Sequence, residues 1–270
     1  MTAKNTALIP VDGHVHLHSS ARAPAALDAA AAHFRRARSA PSGCLGALLL
    51  TQAAGERVFE DLMGRSACGS WEIRHVPDEP QSLIATRQNE WIAIVCGRQV
   101  RCERGLEVVG LGTLQEFVDG NRLHETIRDV QASGALACLP WGFGKWSGAR
   151  GRLVRTALDT NDVNSLTVCD NGGRLEVLGR PGLLREAERR GFKVLPGTDP
   201  FPLGEDYRRT GGFGFFAAAP GRERPWHDMM GWILAQEQSP GPYGRALGPF
   251  RFLYNNIGIQ WHNRRKRKEA

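Results

Sequence analysis

The chain has no CxxC pair: its six cysteines, Cys44, Cys68, Cys96, Cys102, Cys138 and Cys169, are widely spread. In strand-like or small-residue surroundings they read as reduced, buried thiols, not as a disulfide framework or a zinc knuckle. No run reaches the roughly 18 apolar residues of a membrane span, and the opening MTAKNTALIPVDG has no stretch long enough for the apolar core of a signal peptide. These absences place the protein in the cytoplasm. The GxSxG elbow of serine hydrolases and the GxxxxGK(S/T) loop of nucleotide-binding ATPases are missing as well, so neither chemistry is expected.

What is present is ordinary for a globular domain. Of the 270 residues 41% are hydrophobic, 8% aromatic and 23% charged, enough to bury a core without staples. The formal charge of +7 is unevenly placed. Arg264, Arg265, Lys266, Arg267 and Lys268 supply five positive charges, Glu269 leaves that tail at +4, and only +3 is spread over the remainder. The expected organisation is one domain over 1–263 and a basic tail over 264–270, with no internal repeat and no linker. Such a tail is a solvated end, or a weak contact for nucleic acid or an acidic membrane surface that salt would abolish.

Hydrophobic patterning suggests an α/β chain. Residues 7–17 read as a buried strand interrupted by Gly13, a site of close approach by backbone or ligand. PAALDAAAAHFRRAR over 24–38 has the strongest helix propensity, with Arg35, Arg36 and Arg38 favouring its C-terminal dipole. LGALLLT is a second buried strand. Between Trp71 and Gly110, WEIRHV, SLIATR, EWIAIVCGRQVRC and LEVVGLG are β-rich and separated by turn residues, which predicts a meander. Afterwards strands and helices alternate: helical TLQEFVDG and NRLHETIRDVQASG, strand ALACLP, helix GRLVRTAL, strand SLTVCDN, helix PGLLREAERRG and strand FKVLPGTD. The C-terminal part is less regular, with a strand GFGFFAA, a helix from Trp226 to Glu237 and an apolar RFLYNNIGIQW. The spacing predicts a parallel sheet closed into a barrel, with a doubly wound open sheet as the alternative.

Three polar clusters follow strand-like segments. The first is Asp12-Gly13-His14-Val15-His16-Leu17-His18. Imidazoles two residues apart on a strand project to one side, so His14 and His16 can reach one divalent cation; the other reading is a pair of histidines satisfied by hydrogen bonds. Asp12 is either a turn residue or a carboxylate that fixes a histidine tautomer.

VDGHVHLH resembles the opening strand of the polymerase and histidinol phosphatase (PHP) family, and also that of amidohydrolases and related barrels. IVCGRQVRCERGLEVVGLG is similar to the PHP family's paired strands, and VLPGTDPF to its late Gly-Ser-Asp-Ala-His, so the likeness spans residues 8–201. The resemblance implies a distorted TIM-like (β/α)7 barrel of PHP type carrying the β-rich meander as an insertion, and a metal-dependent hydrolase. Gln99 stands where the family has a bridging glutamate, Leu139-Pro140-Trp141 replaces Ala-His-Pro, and Phe201 replaces a final histidine. What remains implies a single ion, zinc, manganese or iron, held by His14, His16 and Asp199 with Gln99 as a weak neutral acceptor.

The second cluster, Trp141 to Arg152, is a glycine-rich loop whose Lys145, Arg150 and Arg152 could hold an anionic group, and whose Trp141 and Trp146 could stack on a ring; the alternative is an aromatic lid with solvated cations. The third, Asp170-Asn171-Gly172-Gly173-Arg174, is either a plain turn or a contribution to the site, with Asp170 beside Asp199 as a catalytic carboxylate and Arg174 on the substrate. Glu56 and Glu60 either serve a loop or helix after the second strand or form a solvated face, and His33, His75, His124, His227 and His262 stand alone. The combined expectation is a hydrolase for a small anionic substrate such as a phosphoester, with a catalytically silent ligand-binding or protein-binding scaffold as the rival.

Overall fold

A computed structural model of the chain describes residues 7–37, 43–174 and 179–248. Arg38, RFLYNNIGIQW, His262 and the basic tail 264–270 lie outside the described residues.

The elements follow local propensity closely. Strands β1 (Leu8–Val15) and β2 (Gly43–Leu50) are almost wholly buried. Between them, helix α1 (Ala23–Ala37) follows a short turn whose Ser19 side chain accepts from Ala21 N at 3.3 Å. Its Ala23, Ala26, Leu27, Ala30, Ala31 and Phe34 recur at helical spacing and are buried against the sheet. Helix α2 (Val58–Met63) is followed by strands β3 (Ala67–Cys68), β4 (Trp71–His75), β5 (Ser82–Arg87) and β6 (Glu90–Val95), each antiparallel to the one before. Next come β7 (Gly97–Arg101), β8 (Glu107–Leu111), α3 (Leu123–Ala132), β9 (Leu136–Pro140), α4 (Gly148–Thr160), β10 (Leu166–Asp170), α5 (Gly182–Arg189) and β11 (Val194–Pro196). Strand β12 (Phe213–Ala218), helix α6 (Pro225–Ala235) and strand β13 (Pro242–Gly244) complete the described order.

These strands form two open mixed sheets, ordered β13-β12-β1-β2-β6-β5-β4-β3 and β11-β10-β9-β8-β7. The expectation of a closed barrel of PHP type is therefore corrected, and the reason lies in who occupies the edges. Along Leu8–Val11 the free edge of β1 is taken by antiparallel β12, so β11 meets β1 without a ladder, through Asp199 N to His14 O at 2.8 Å. Along Gly43–Leu49 the other edge of β2 is taken by β6, and β7 reaches that strand only beyond its end, at an isolated bridge from Gln52 to Arg98. The parallel ladders β1/β2/β6 and β9/β10/β11 are nonetheless present.

The two sheets share one apolar layer in which Val11, Leu49, Val109, Cys138, Leu195 and Phe215 meet Trp226 of α6. A second layer lies under α1 and α2, and a third joins the five-stranded sheet to α3, α4 and α5. All six cysteines are buried and free of disulfides. The stretch TLQEFVDG, expected to be helical, is irregular. Its Thr113 hydroxyl accepts from Gln115 N at 3.0 Å, so a side chain competes with the helix for a backbone donor, and its Asp119 carboxylate accepts from Arg101 N of β7 at 2.9 Å. Among the described residues no helix is long and apolar enough to cross a membrane.

Candidate metal centre

A register shift near the end of β1 aims its histidines. From Asp12 to Val15 this strand advances three residues while β2 advances two, from Leu48 to Leu50, so β1 carries a bulge around Gly13. Before the bulge Ile9 and Val11 face the layer between the sheets; after it Val15 and Leu17 face α1. The swap turns His14 and His16 inward, where both are buried. Glycine is required at the bulge, because a Cβ on Gly13 would lie 2.7 Å from Pro196 O and 3.1 Å from Phe215. Gly197 meets the same strand from the other side: a Cβ there would lie 2.2 Å from His14 N.

Asp199, just beyond β11, arrives opposite the two imidazoles. His14 Nε2 and His16 Nε2 are 3.3 Å apart, and each is 3.8 Å from Asp199 Oδ1. Gln99 Oε1, from β7, is 3.2 Å from His16 Nε2. Donors about 2.1 Å from a tetrahedral ion stand about 3.4 Å from one another. The spacing of the three side chains is close to that edge. Asp199 adopts φ 44°, a left-handed conformation that its surroundings impose. Its amide is bound by His14 O, its Oδ2 accepts from Asn171 Nδ2 at 2.8 Å, and the preceding Thr198 is clamped by Asp12. Asp12 accepts from Thr198 N at 2.8 Å, Thr198 Oγ1 at 2.6 Å and Gly211 N at 2.8 Å. It thus fixes the loop that carries Asp199 and does not touch an imidazole ring, the alternative role weighed for it.

Electrostatics sort the donors. Burial pushes His14 down to about 4 against the pull of Asp199, so its ring is neutral near pH 7 with a lone pair to give. Burial also works against a charge on His16, but Glu56, Asp199 and Glu107 outweigh it and hold this ring above its usual range. Burial would raise Asp199; His14, His16, Lys145 and Arg209 overcome that and keep it below the ordinary carboxylate range. Without an ion, a proton on His16 can bridge the cluster. A cation at the same point would replace that proton. His16 Nδ1, the ring nitrogen turned away from that point, is buried and has no hydrogen-bond partner among the described residues. It lies 3.5 Å from Glu56 Oε2, within reach of charge attraction but outside hydrogen-bond geometry.

Sequence reasoning did not nominate three of the groups gathered here. Glu56, in the turn after β2, lies against both His16 and His18, and burial's upward push on it is far outweighed by those rings and by Ala53 N. His18 stacks on His16 with ring centroids 5.2 Å apart. Asn171 orients Asp199. Their common signal is position, since each follows the C-terminal end of a parallel strand or, for His18, extends the alternation that selected His14 and His16.

The other expected site residues are placed differently. Asp170 shares the strand face of Leu166 and Val168, which looks toward α3, α4 and α5, and its buried carboxylate is held by Arg174 Nε at 3.0 Å. Neither Asp170 nor Arg174 meets the histidines, and neighbouring Asn171 takes the place beside Asp199. Lys145 sets its charge against His14 and Asp199 and pairs with Glu107 at 2.5 Å. Arg150 donates to Gly144 O at 2.8 Å, and Trp141 is buried in the layer under the helices, where it is not free to stack on a ligand. Two surface hollows, one lined by Gln115 to Ser133 and one by Glu188 to Ser239, share no residue with this cluster.

The chain matches no protein-family model and no curated protein. Among solved structures it is similar to the crystal structure of PsfC from Pseudomonas syringae PB-5123, with 14% identity, a TM-score of 0.59 and coverage of 95% of this chain and 99% of that one. At that identity the likeness is one of fold alone.

Proposed function

We propose that His14, His16 and Asp199 bind one divalent cation and that the protein is a PHP-like metal-dependent hydrolase of a small anionic substrate such as a phosphoester. The observation that carries this reading is the convergence of three donor atoms, from segments nearly two hundred residues apart, at 3.3 to 3.8 Å. Two imidazoles and a carboxylate suit zinc, manganese or iron, and Gln99 adds a neutral oxygen beside His16. A bound ion supplies a Lewis-acid centre that polarises a substrate oxygen. The protein's own groups do the rest. Asn171 and the Asp12–Thr198 clamp hold Asp199 in place, and Lys145, partly exposed and facing the same cluster, sets a positive charge against an anionic substrate.

A second reading, a catalytically silent scaffold, is favoured by one specific observation: the cations nominated for the substrate already have partners, Lys145 on Glu107, Arg150 on Gly144 O and Arg174 on Asp170. Metal analysis of the chain purified without a histidine tag separates the two. The hydrolase reading expects about one equivalent of zinc, manganese or iron, lost in His14→Ala together with activity on p-nitrophenyl phosphate. Metal loss in the variant without any activity in the parent favours the scaffold. No bound metal in the parent, even after incubation with each ion, removes the hydrolase reading.

A further inference from the structure

A group of donor atoms that the inner cluster does not use lies immediately outside it. Glu56 presents Oε2 at 3.5 Å from His16 Nδ1 and Oε1 at 2.7 Å from His18 Nδ1. The far nitrogen of His18 is 2.8 Å from Pro200 O. A carbonyl oxygen only accepts, so His18 Nε2 carries the hydrogen of that contact and Nδ1 faces the carboxylate. Two lone-pair atoms as close as Nδ1 and Oε1 repel unless a positive centre joins them, either a proton or a metal ion. The unpartnered Nδ1 of buried His16 points to the same carboxylate.

We propose that His16, His18 and Glu56 form an outer cation seat, filled in alternation with the inner one. The ligand set, two imidazoles and a carboxylate, is of the type that takes zinc with open positions for water. Alternation follows from valence. A neutral imidazole has one lone pair, so His16 serves the inner ion through Nε2 or the outer ion through Nδ1, and one ion excludes the other. The side chains of His18 and Glu56 are 21% and 20% exposed, so the outer seat is open to solvent. The hydrogen bond from His18 to Pro200 O supplies the backbone partner that orients a ligating imidazole. The outer seat rests on His16 being a ligand, as the proposed function has it, but not on His14 or Asp199; the alternation rests on the inner seat as well.

Zinc titration of the chelator-stripped full chain by calorimetry, with circular dichroism as a check of folding, tests it. The parent is expected to bind one zinc. His14→Gln is expected to retain one zinc in the outer seat, bound more weakly than in the parent. His18→Gln retains one in the inner seat, and the double variant binds none. His14→Gln paired with Glu56→Gln also binds none, which covers the case in which one double variant misfolds. Loss of all zinc in His14→Gln, with His18→Gln still loaded, overturns the outer seat and leaves the inner one standing. Loss in His18→Gln alone does the reverse. Two zinc ions in the parent overturn the alternation, and no zinc in any protein overturns both seats.

Discussion

The mouth between β1 and β11 and the glycine-rich loop after β9 both attract attention in the sequence, yet they use polar side chains in opposite ways. At the mouth, the end of β1 and the clamped turn after β11 bring His14, His16 and Asp199 within 3.8 Å of one another, and a buried imidazole nitrogen keeps no partner among the described residues. In the loop, Lys145 and Arg150 fold back onto oxygens nearby, one on Glu107 and one on the carbonyl of Gly144. A strand cannot turn its side chains away from the layer it faces, whereas a loop lets a long cation find the nearest acceptor. Convergence on a rigid element is therefore better evidence of a site than a concentration of charge on a loop.

Asp170 gives the sharpest way to break that comparison, because it ends a strand at the same end of the sheet but looks to the other side. Arg174 is 13% exposed and pairs with its fully buried carboxylate, and Arg180 stands at 3.9 Å as a second cation. Arg174→Ala leaves a buried charge short of its main partner and is expected to cost about 3 kcal/mol of stability by urea unfolding. Zinc affinity of the folded protein should stay within about twofold of the parent, since an ion pair on the helix side makes no contact with the mouth. A large fall in affinity with little loss of stability would return Asp170 to the site.

Within the mouth, Asp12 and His14 should oppose each other as pH changes. Burial raises Asp12 from 3.8 to about 6, although Thr198, Gly211 and His14 all donate to it. Between these values the folded chain holds a proton that the unfolded chain has released, so the contribution of Asp12 to stability falls as pH rises through the window. His14 runs the other way. Lowered from 6.5 to about 4, it lets the unfolded chain bind the extra proton, and its contribution grows with pH. The two slopes offset each other between about pH 4 and 6. Asp12→Asn removes one of them, so in chelator the variant should gain on the parent by on the order of 3 kcal/mol as pH rises from 4 to 7. Urea midpoints at four pH values are sufficient to measure it; a difference that stays flat would mean that Asp12 titrates normally.

Legibility follows from how local each cause is. The α1 helix, the strands ALACLP and SLTVC and the His-x-His alternation depend on neighbours in sequence, and were readable there. The closure of the sheets was not, because it turns on edges occupied from afar: Phe213–Ala218 lies some two hundred residues from the β1 edge it covers. Gly13 could be recognised as a close approach, but not as a bulge that exchanges the faces of the strand. The face of Asp170 was readable in retrospect from Leu166 and Val168, whose period places it on the helix side. The role of Glu56 was not legible, because nothing in its own segment shows that the two imidazoles come to it.

The smallest expected effect belongs to the loop. Arg150 is half-buried and its hydrogen bond goes to a carbonyl six residues back. Arg150→Ala should leave stability within about 0.5 kcal/mol of the parent and zinc affinity unchanged. If the hydrolase reading holds, KM for p-nitrophenyl phosphate should change less than about twofold in this variant and rise further in Lys145→Ala, because only the lysine sets its charge against His14 and Asp199. A tenfold rise in KM for Arg150→Ala, with kcat unchanged, would show that this cation leaves Gly144 for the substrate. The loop would then be a second convergent element that closes only around its ligand, and the contrast with the mouth would be one of timing and not of design.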